Sequence, residues 1–147
     1  MTAPAMPTLA VPLPHWGVIR AVGAEAARFL HGQLTQDVLS LGPMQARLAG
    51  YCSPKGRLLA SFVIWKSRED EVLLACHASV LPATLKRLSM FVMRAQCKLS
   101  DASAQLALIG VSGERARGAT EGLPVWGQRA DANDIWIRLP DVAGIAR

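Results

Sequence analysis

Residues 44–66 constrain the architecture most, because two apolar runs there flank Ser53-Pro54-Lys55-Gly56. That tetrapeptide has the residues of a type I turn, with Ser at i, Pro at i+1 and Gly at i+3. It predicts a hairpin whose strands run from Met44 to Cys52 and from Arg57 to Lys66. In the second strand Leu58, Ala60, Phe62 and Ile64 line one face, while Leu59, Val63 and Trp65 line the other. A strand apolar on both faces belongs inside a sheet that is covered on both sides. Ser67 to Asp70 is a polar turn, and Glu71 to Cys76 continues the meander as a third strand.

Helices are expected on either side of this meander. Trp16 to Val22 reads as an opening strand ended by Gly23. Ala26, Leu30, Leu34 and Val38 then recur at i+4, with Phe29 on the same side, which is the stripe of an amphipathic helix. Gly32 interrupts the stripe at a cost of about 1 kcal/mol relative to Ala. The helix is therefore expected to stop near His31 and restart, leaving Gln33 to Asp37 as a shaped connection. Ser79 is placed to cap a second helix with Pro82 in its first turn and Leu81, Leu85, Leu88 and Val92 as its buried stripe. Further strands are expected at Cys97–Leu99, Gln105–Val111 and Ile135–Leu139, with a short helix around Glu114–Ala119. Hairpins dominate and strict strand–helix alternation is absent. The fold class read from the pattern is α+β, a mainly antiparallel sheet covered by helices.

With 147 residues, 51% of them hydrophobic, the chain can bury a core and is not of disordered composition. No apolar run approaches the ~18 residues of a membrane span, so no membrane association is expected. Residues 1–14, with Pro4, Pro7, Pro12 and Pro14, lack the basic and apolar regions of a secretory leader and read as a flexible lead-in. Residues 15–147 form the domain. Cys52, Cys76 and Cys97 are odd in number and widely spaced, so neither a disulfide framework nor a metal motif follows. Reduced thiols in the cytoplasm are the expected state. The net charge of +5 favours anionic partners. The cations are scattered, however, and with one Tyr and three Phe there is little to stack bases on, which argues against direct nucleic-acid binding.

Few residues suggest chemistry. Lys55 and Arg57 flank Gly56 and would make a compact anion-binding corner, Arg gripping a carboxylate with two hydrogen bonds. The ordinary alternative is a solvated hairpin tip. His15, His31 and His77 are isolated from any carboxylate–nucleophile set, and no metal-ligand spacing appears. Gln33, Thr35, Gln36 and Asp37 are expected to satisfy backbone groups in the helix-to-strand connection. The alternative is that they face the donor and acceptor edge of a heterocycle. Trp16 either closes the core or forms a flat wall for an aromatic ligand. Trp65 is expected in the core, and Trp126 and Trp136 are undecided.

Two segments go further when taken together: Gly23-x-x-Ala26-x-x-Phe29-Leu-x-Gly-Gln-Leu-Thr-x-Asp37 and Cys52-x-Pro-Lys-Gly-Arg-Leu-Leu-Ala60. They resemble the N-terminal part of the YgfZ-like folate-binding proteins, relatives of the glycine-cleavage T-protein, an aminomethyltransferase. The similarity runs from about Trp16 to Ser112. It implies a T-protein-like folate-binding fold, tetrahydrofolate as ligand, and a role in supporting iron–sulfur enzymes or their assembly proteins, including enzymes that modify tRNA. It also implies folate contacts at Trp16, and less firmly at Tyr51, Lys55 and Arg57. The alternative it carries is a folate-dependent aminomethyltransferase. T-protein enzymes hold an acidic pair shortly after a Gly-Gly turn, whereas Arg57-Leu-Leu-Ala-Ser61 here has no carboxylate. Without that acid, no aminomethyl transfer is expected. The YgfZ stretch Lys-Gly-Cys-Tyr-x-Gly-Gln-Glu, with its reactive cysteine, is also absent, and Val142 to Arg147 reads like a strand beginning. The expectation is an N-terminal portion of a longer protein, with apolar surface exposed where other lobes would lie.

Overall fold

The hairpin at residues 46–68 anchors the fold. In the computed structural model, which describes residues 8–147, β1 is Leu9–Pro12, β2 Trp16–Val22, α1 Ala26–Gln33, β3 Ala46–Cys52, β4 Leu58–Arg68, β5 Glu71–His77 and α2 Leu81–Val92. They are followed by β6 Lys98–Asp101, β7 Ile109–Ser112, α3 Glu114–Ala119, β8 Gln128–Ala130 and β9 Ile135–Ile137. A five-stranded sheet of order β3-β4-β5-β2-β6 is antiparallel throughout. β1 pairs with β7 and β8 with β9 as separate two-stranded ribbons. The α+β class read from the pattern is the observed one.

The β3–β4 turn is as the sequence predicts. The Gly56 N–H donates to the Ser53 carbonyl at 2.8 Å, and the Arg57 N–H donates to the Ser53 hydroxyl at 3.2 Å. Gly56 has φ 75, which a residue with a Cβ adopts only under strain. A bulge between Tyr51 and Cys52 adjusts the register leading into the turn.

Two apolar clusters sandwich the sheet. On the helix side, Leu30 of α1 and Leu88 of α2 pack against Ile19, Phe62, Ile64 and Leu74. On the other side, Val18, Trp65, Leu73 and Ala75 are covered by Leu106 and Leu108 from the loop after β6, Trp126 from the segment before β8, and Ile137 of β9. This cover stops short. Ile64 and Trp65 are buried, but Leu58 and Leu59 at the start of β4 are 64% and 39% exposed. The expectation that the whole strand is covered on both faces therefore holds only for its C-terminal half.

Several local expectations are corrected. α1 continues through Gly32 to Gln33, because Phe29 and Leu30 are anchored in the core and offset the glycine's cost. Ser79 does not cap α2. Val80 holds the cap position, and the Ser79 hydroxyl instead pairs with His77 Nδ1 at 2.7 Å. The strand expected from Gln105 starts only at Ile109, because the Gln105 and Leu106 N–H groups turn back to the Ala102 carbonyl. Leu9–Pro12, within the expected lead-in, form β1 with Pro12 at the strand's end, where a missing N–H costs least. Residues 1–7 of that lead-in lie outside the described residues.

Candidate functional site

Antiparallel pairing gathers a distinct set of residues at one end of the five-stranded sheet. Trp16 opens β2 and sits opposite His77, the last residue of β5. The β4–β5 register, with Val63 opposite Ala75, brings Ser61 level with His77 two residues further on. Trp16, His77 and Ser61 thus lie on the face away from the helices, where the cover has run out. A shallow concavity of about 230 Å³ at this end of the sheet draws on both faces and is lined by Leu58, Leu59, Ala60, Ser61, His77 and Val80. The His15 and His77 rings lie 5.9 Å apart at a 51° tilt.

The hairpin tip rises from the same end. Lys55 and Arg57 are exposed, and among the described residues neither has an acidic partner within ion-pair distance. From Trp16 to the start of β4 is two strand spacings across and three residues along, roughly 14 Å. The arrangement offers a partly buried indole at one end, apolar side chains in the middle and two free cations at the far end.

The four residues implied as folate contacts do not share one surface. Trp16 packs against the cluster on the open face, whereas Tyr51, 3% exposed, lies in the core cluster on the helix side. Strand alternation decides this, since Tyr51 follows Ala49 onto the face that meets α1. His77 and Ser61 join Trp16 through register alone, which the linear sequence does not display.

Other polar groups serve the scaffold. Thr35 Oγ1 accepts from the Gly50 N–H at 2.8 Å, and the Gln36 amide donates to the Leu48 carbonyl at 3.0 Å. The Ser40 backbone N–H and then its hydroxyl hold the Asp37 carboxyl below its usual range. A larger cleft of about 390 Å³ lies between Gln36, Gln45–Leu48 and Pro124–Gly127. Its cation, Arg47, is already bound to the Asp37 and Ser40 carbonyls, the Ser40 hydroxyl and Gln45 Oε1, so it is not free for a ligand. Glu71 is buried at the opposite end of β5 from His77, bound by Arg68, Ser67 and Arg20. Burial pushes the Cys76 thiol up to about 11 and also raises Cys97, so neither has the character of a reactive thiolate. Among the described residues no cluster of His, Cys, Asp and Glu suits a metal ion, and no helix is long and apolar enough to cross a membrane.

Residues 12–130 match the family described as GCVT N-terminal domain. The tRNA-modifying protein YgfZ of Enterobacter sp. (strain 638) is 29% identical over 146 residues, covering 92% of this chain and 44% of the relative. The tRNA-modifying protein YgfZ of Photobacterium profundum is 32% identical over 118 residues, covering 79% of this chain and 35% of the relative. The chain thus spans less than half the length of these curated relatives. The glycine cleavage system aminomethyltransferase T of Bartonella henselae shares the fold with a TM-score of 0.68 at 17% identity, covering 82% of this chain and 35% of that one.

Proposed function

The chain belongs to the GCVT N-terminal domain family, as a YgfZ-like member of the T-protein superfamily, and from that premise we propose that it binds tetrahydrofolate in support of tRNA modification. The observation that carries the reading is the open sheet end, where an indole lies roughly 14 Å from the start of β4 and two unpaired cations stand beyond it on the hairpin tip. A folate is elongated, with a flat heterocycle at one end and carboxylates at the other. Trp16 would stack on the heterocycle, Leu59 and Ser61 would line its middle, and Lys55 and Arg57 would take the carboxylates. Tyr51 would act from beneath, holding β3 in place rather than touching the ligand. When bound, tetrahydrofolate supplies a carrier for one-carbon units. What these residues supply is binding and orientation, since Arg57 to Ser61 offers no carboxylate to move a proton. The reading therefore favours an accessory protein over an aminomethyltransferase. The finer proposal is that it serves iron–sulfur enzymes acting on tRNA, in the cytoplasm.

The test is genetic and chemical together. Cells lacking their own YgfZ-like protein are supplied with the natural full-length protein, and modified nucleosides are quantified in digested tRNA. Restoration by the wild type and failure by a stably folded Lys55→Glu/Arg57→Glu variant is the expected result. Equal restoration by both would remove the hairpin tip from the function.

A further inference from the structure

The C-terminal end of α2 presents a surface that the folate reading does not use. Met90, Phe91 and Met93 are 61%, 46% and 86% exposed, three large apolar side chains within four residues. Lys86, Arg87, Arg94 and Lys98 fall in the same stretch of sequence, with Glu25 the nearby carboxylate, accepting from the Gln96 N–H at 2.7 Å. Between Glu71 and Asp101 the sequence holds no acidic residue at all, and among the described residues none of these four cations is in an ion pair. The Arg87 guanidinium lies over the Phe91 ring, 5.8 Å from its centroid, and its buried Nε has no acceptor.

The backbone supplies a second, independent observation. Met93 has φ 48 and ψ −107, in the turn closed by the Ala95 N–H donating to the Val92 carbonyl at 2.9 Å. The positive φ is one that glycine adopts freely and a residue with a Cβ adopts only under strain. Met93 is strained, and its side chain is almost wholly in water, so it recovers nothing by packing within this chain. Strained backbone of this kind clusters at functional positions.

We infer that this surface docks an acidic protein segment with an apolar anchor. Met, Arg and aromatic side chains are the types enriched at protein interfaces, and an acidic rim complements four unpaired cations. A second copy of the chain is disfavoured because like charges would meet. RNA is disfavoured because the centre of the patch is two methionines, while its single aromatic ring is already covered by Arg87.

The probe is a fluorescein-labelled helical peptide with Leu on one face and Glu on the other, followed by fluorescence anisotropy. Unlabelled tRNA and phosphatidylserine vesicles serve as competitors. The wild-type protein is expected to bind the peptide, with affinity falling about tenfold in Phe91→Ala and in Arg94→Glu/Lys98→Glu, the range of an interface anchor. Met93→Gly separates docking from folding: it should raise the melting temperature by relieving strain yet weaken peptide binding. Peptide binding unchanged in Met93→Gly and Phe91→Ala would overturn the inference. So would full displacement by tRNA or by the vesicles at lower concentration than unlabelled peptide. None of these variants touches the folate face, so failure here leaves that reading intact.

Discussion

Replacing Gly23 with Ala should destabilise the chain strongly. Gly23 has φ 144, and a Cβ built there meets the Gln96 carbonyl oxygen at 2.1 Å, its carbon at 2.8 Å and the Cys97 Cα at 3.0 Å. All three are backbone atoms, so no side chain can rotate away. The Gln96 carbonyl also accepts from the Glu25 N–H at 3.0 Å, and the Gln96 N–H donates to the Glu25 carboxylate at 2.7 Å. Relieving the clash means separating residues 23–25 from residue 96 and losing both bonds, at roughly 1 kcal/mol each. The unfavourable backbone adds roughly 1–3 kcal/mol. The sum, about 3–5 kcal/mol, is a large part of the ~5–15 kcal/mol that holds a domain together. In urea it corresponds to a midpoint lowered by roughly 2 M, for a slope near 2 kcal/mol per molar. Gly56→Ala is the control, since its φ is also positive but a Cβ there meets nothing within 4 Å. It should cost only about 1 kcal/mol. Equal midpoint shifts for the two variants would refute the claim that close approach to Gln96, rather than backbone conformation, fixes Gly23.

Gly32 lies inside α1 and a Cβ there meets nothing within 4 Å, so Gly32→Ala should raise stability by about 0.5–1 kcal/mol, read as a higher urea midpoint. The Cys76 thiol is pushed up to about 11 by burial, from an ordinary value of 9.0. Its proton is held more tightly when folded, so its contribution is whole below pH 9 and lost as the pH rises towards 11. The midpoint should therefore fall more steeply across that window in the wild type than in Cys76→Ala, and parallel curves would contradict the assignment. Asp37 is shifted the other way, chiefly by hydrogen bonds from Ser40. Its contribution is present above the ordinary carboxylate value and fades as the pH falls through its lowered one. Asp37→Asn should be less stable than wild type at pH 6, and the difference should shrink towards pH 2.

Local pattern carried much of this architecture. The Ser53–Gly56 turn, the two-faced strand β4 and the α2 stripe are all set by neighbours within a few residues, and each appears where periodicity places it. What the pattern hides is pairing at long range. β1 was not legible because its partner begins at Ile109, about two-thirds of the chain away, and its own residues read as a proline-rich lead. The incomplete cover over Leu59 depends on where the 102–108 loop and the β8–β9 ribbon run, which no local rule fixes. The candidate site divides along the same line. Trp16, Lys55 and Arg57 stand out as residue types in a suggestive setting. His77 and Ser61 reach them only through antiparallel register, and Tyr51 leaves them for the core because strand alternation turns it towards α1.

The central claim is that the open end of the sheet binds tetrahydrofolate between Trp16 and the Lys55–Arg57 tip. Calorimetric titration of the natural full-length protein with tetrahydrofolate tests it most directly, with Trp16→Ala and Lys55→Ala/Arg57→Ala titrated alongside. The account expects saturable binding by the wild type, weakened about tenfold or more in each variant, with the melting temperature of Lys55→Ala/Arg57→Ala staying close to wild type. Absence of binding to the wild type, or equal affinity in all three proteins, would contradict it.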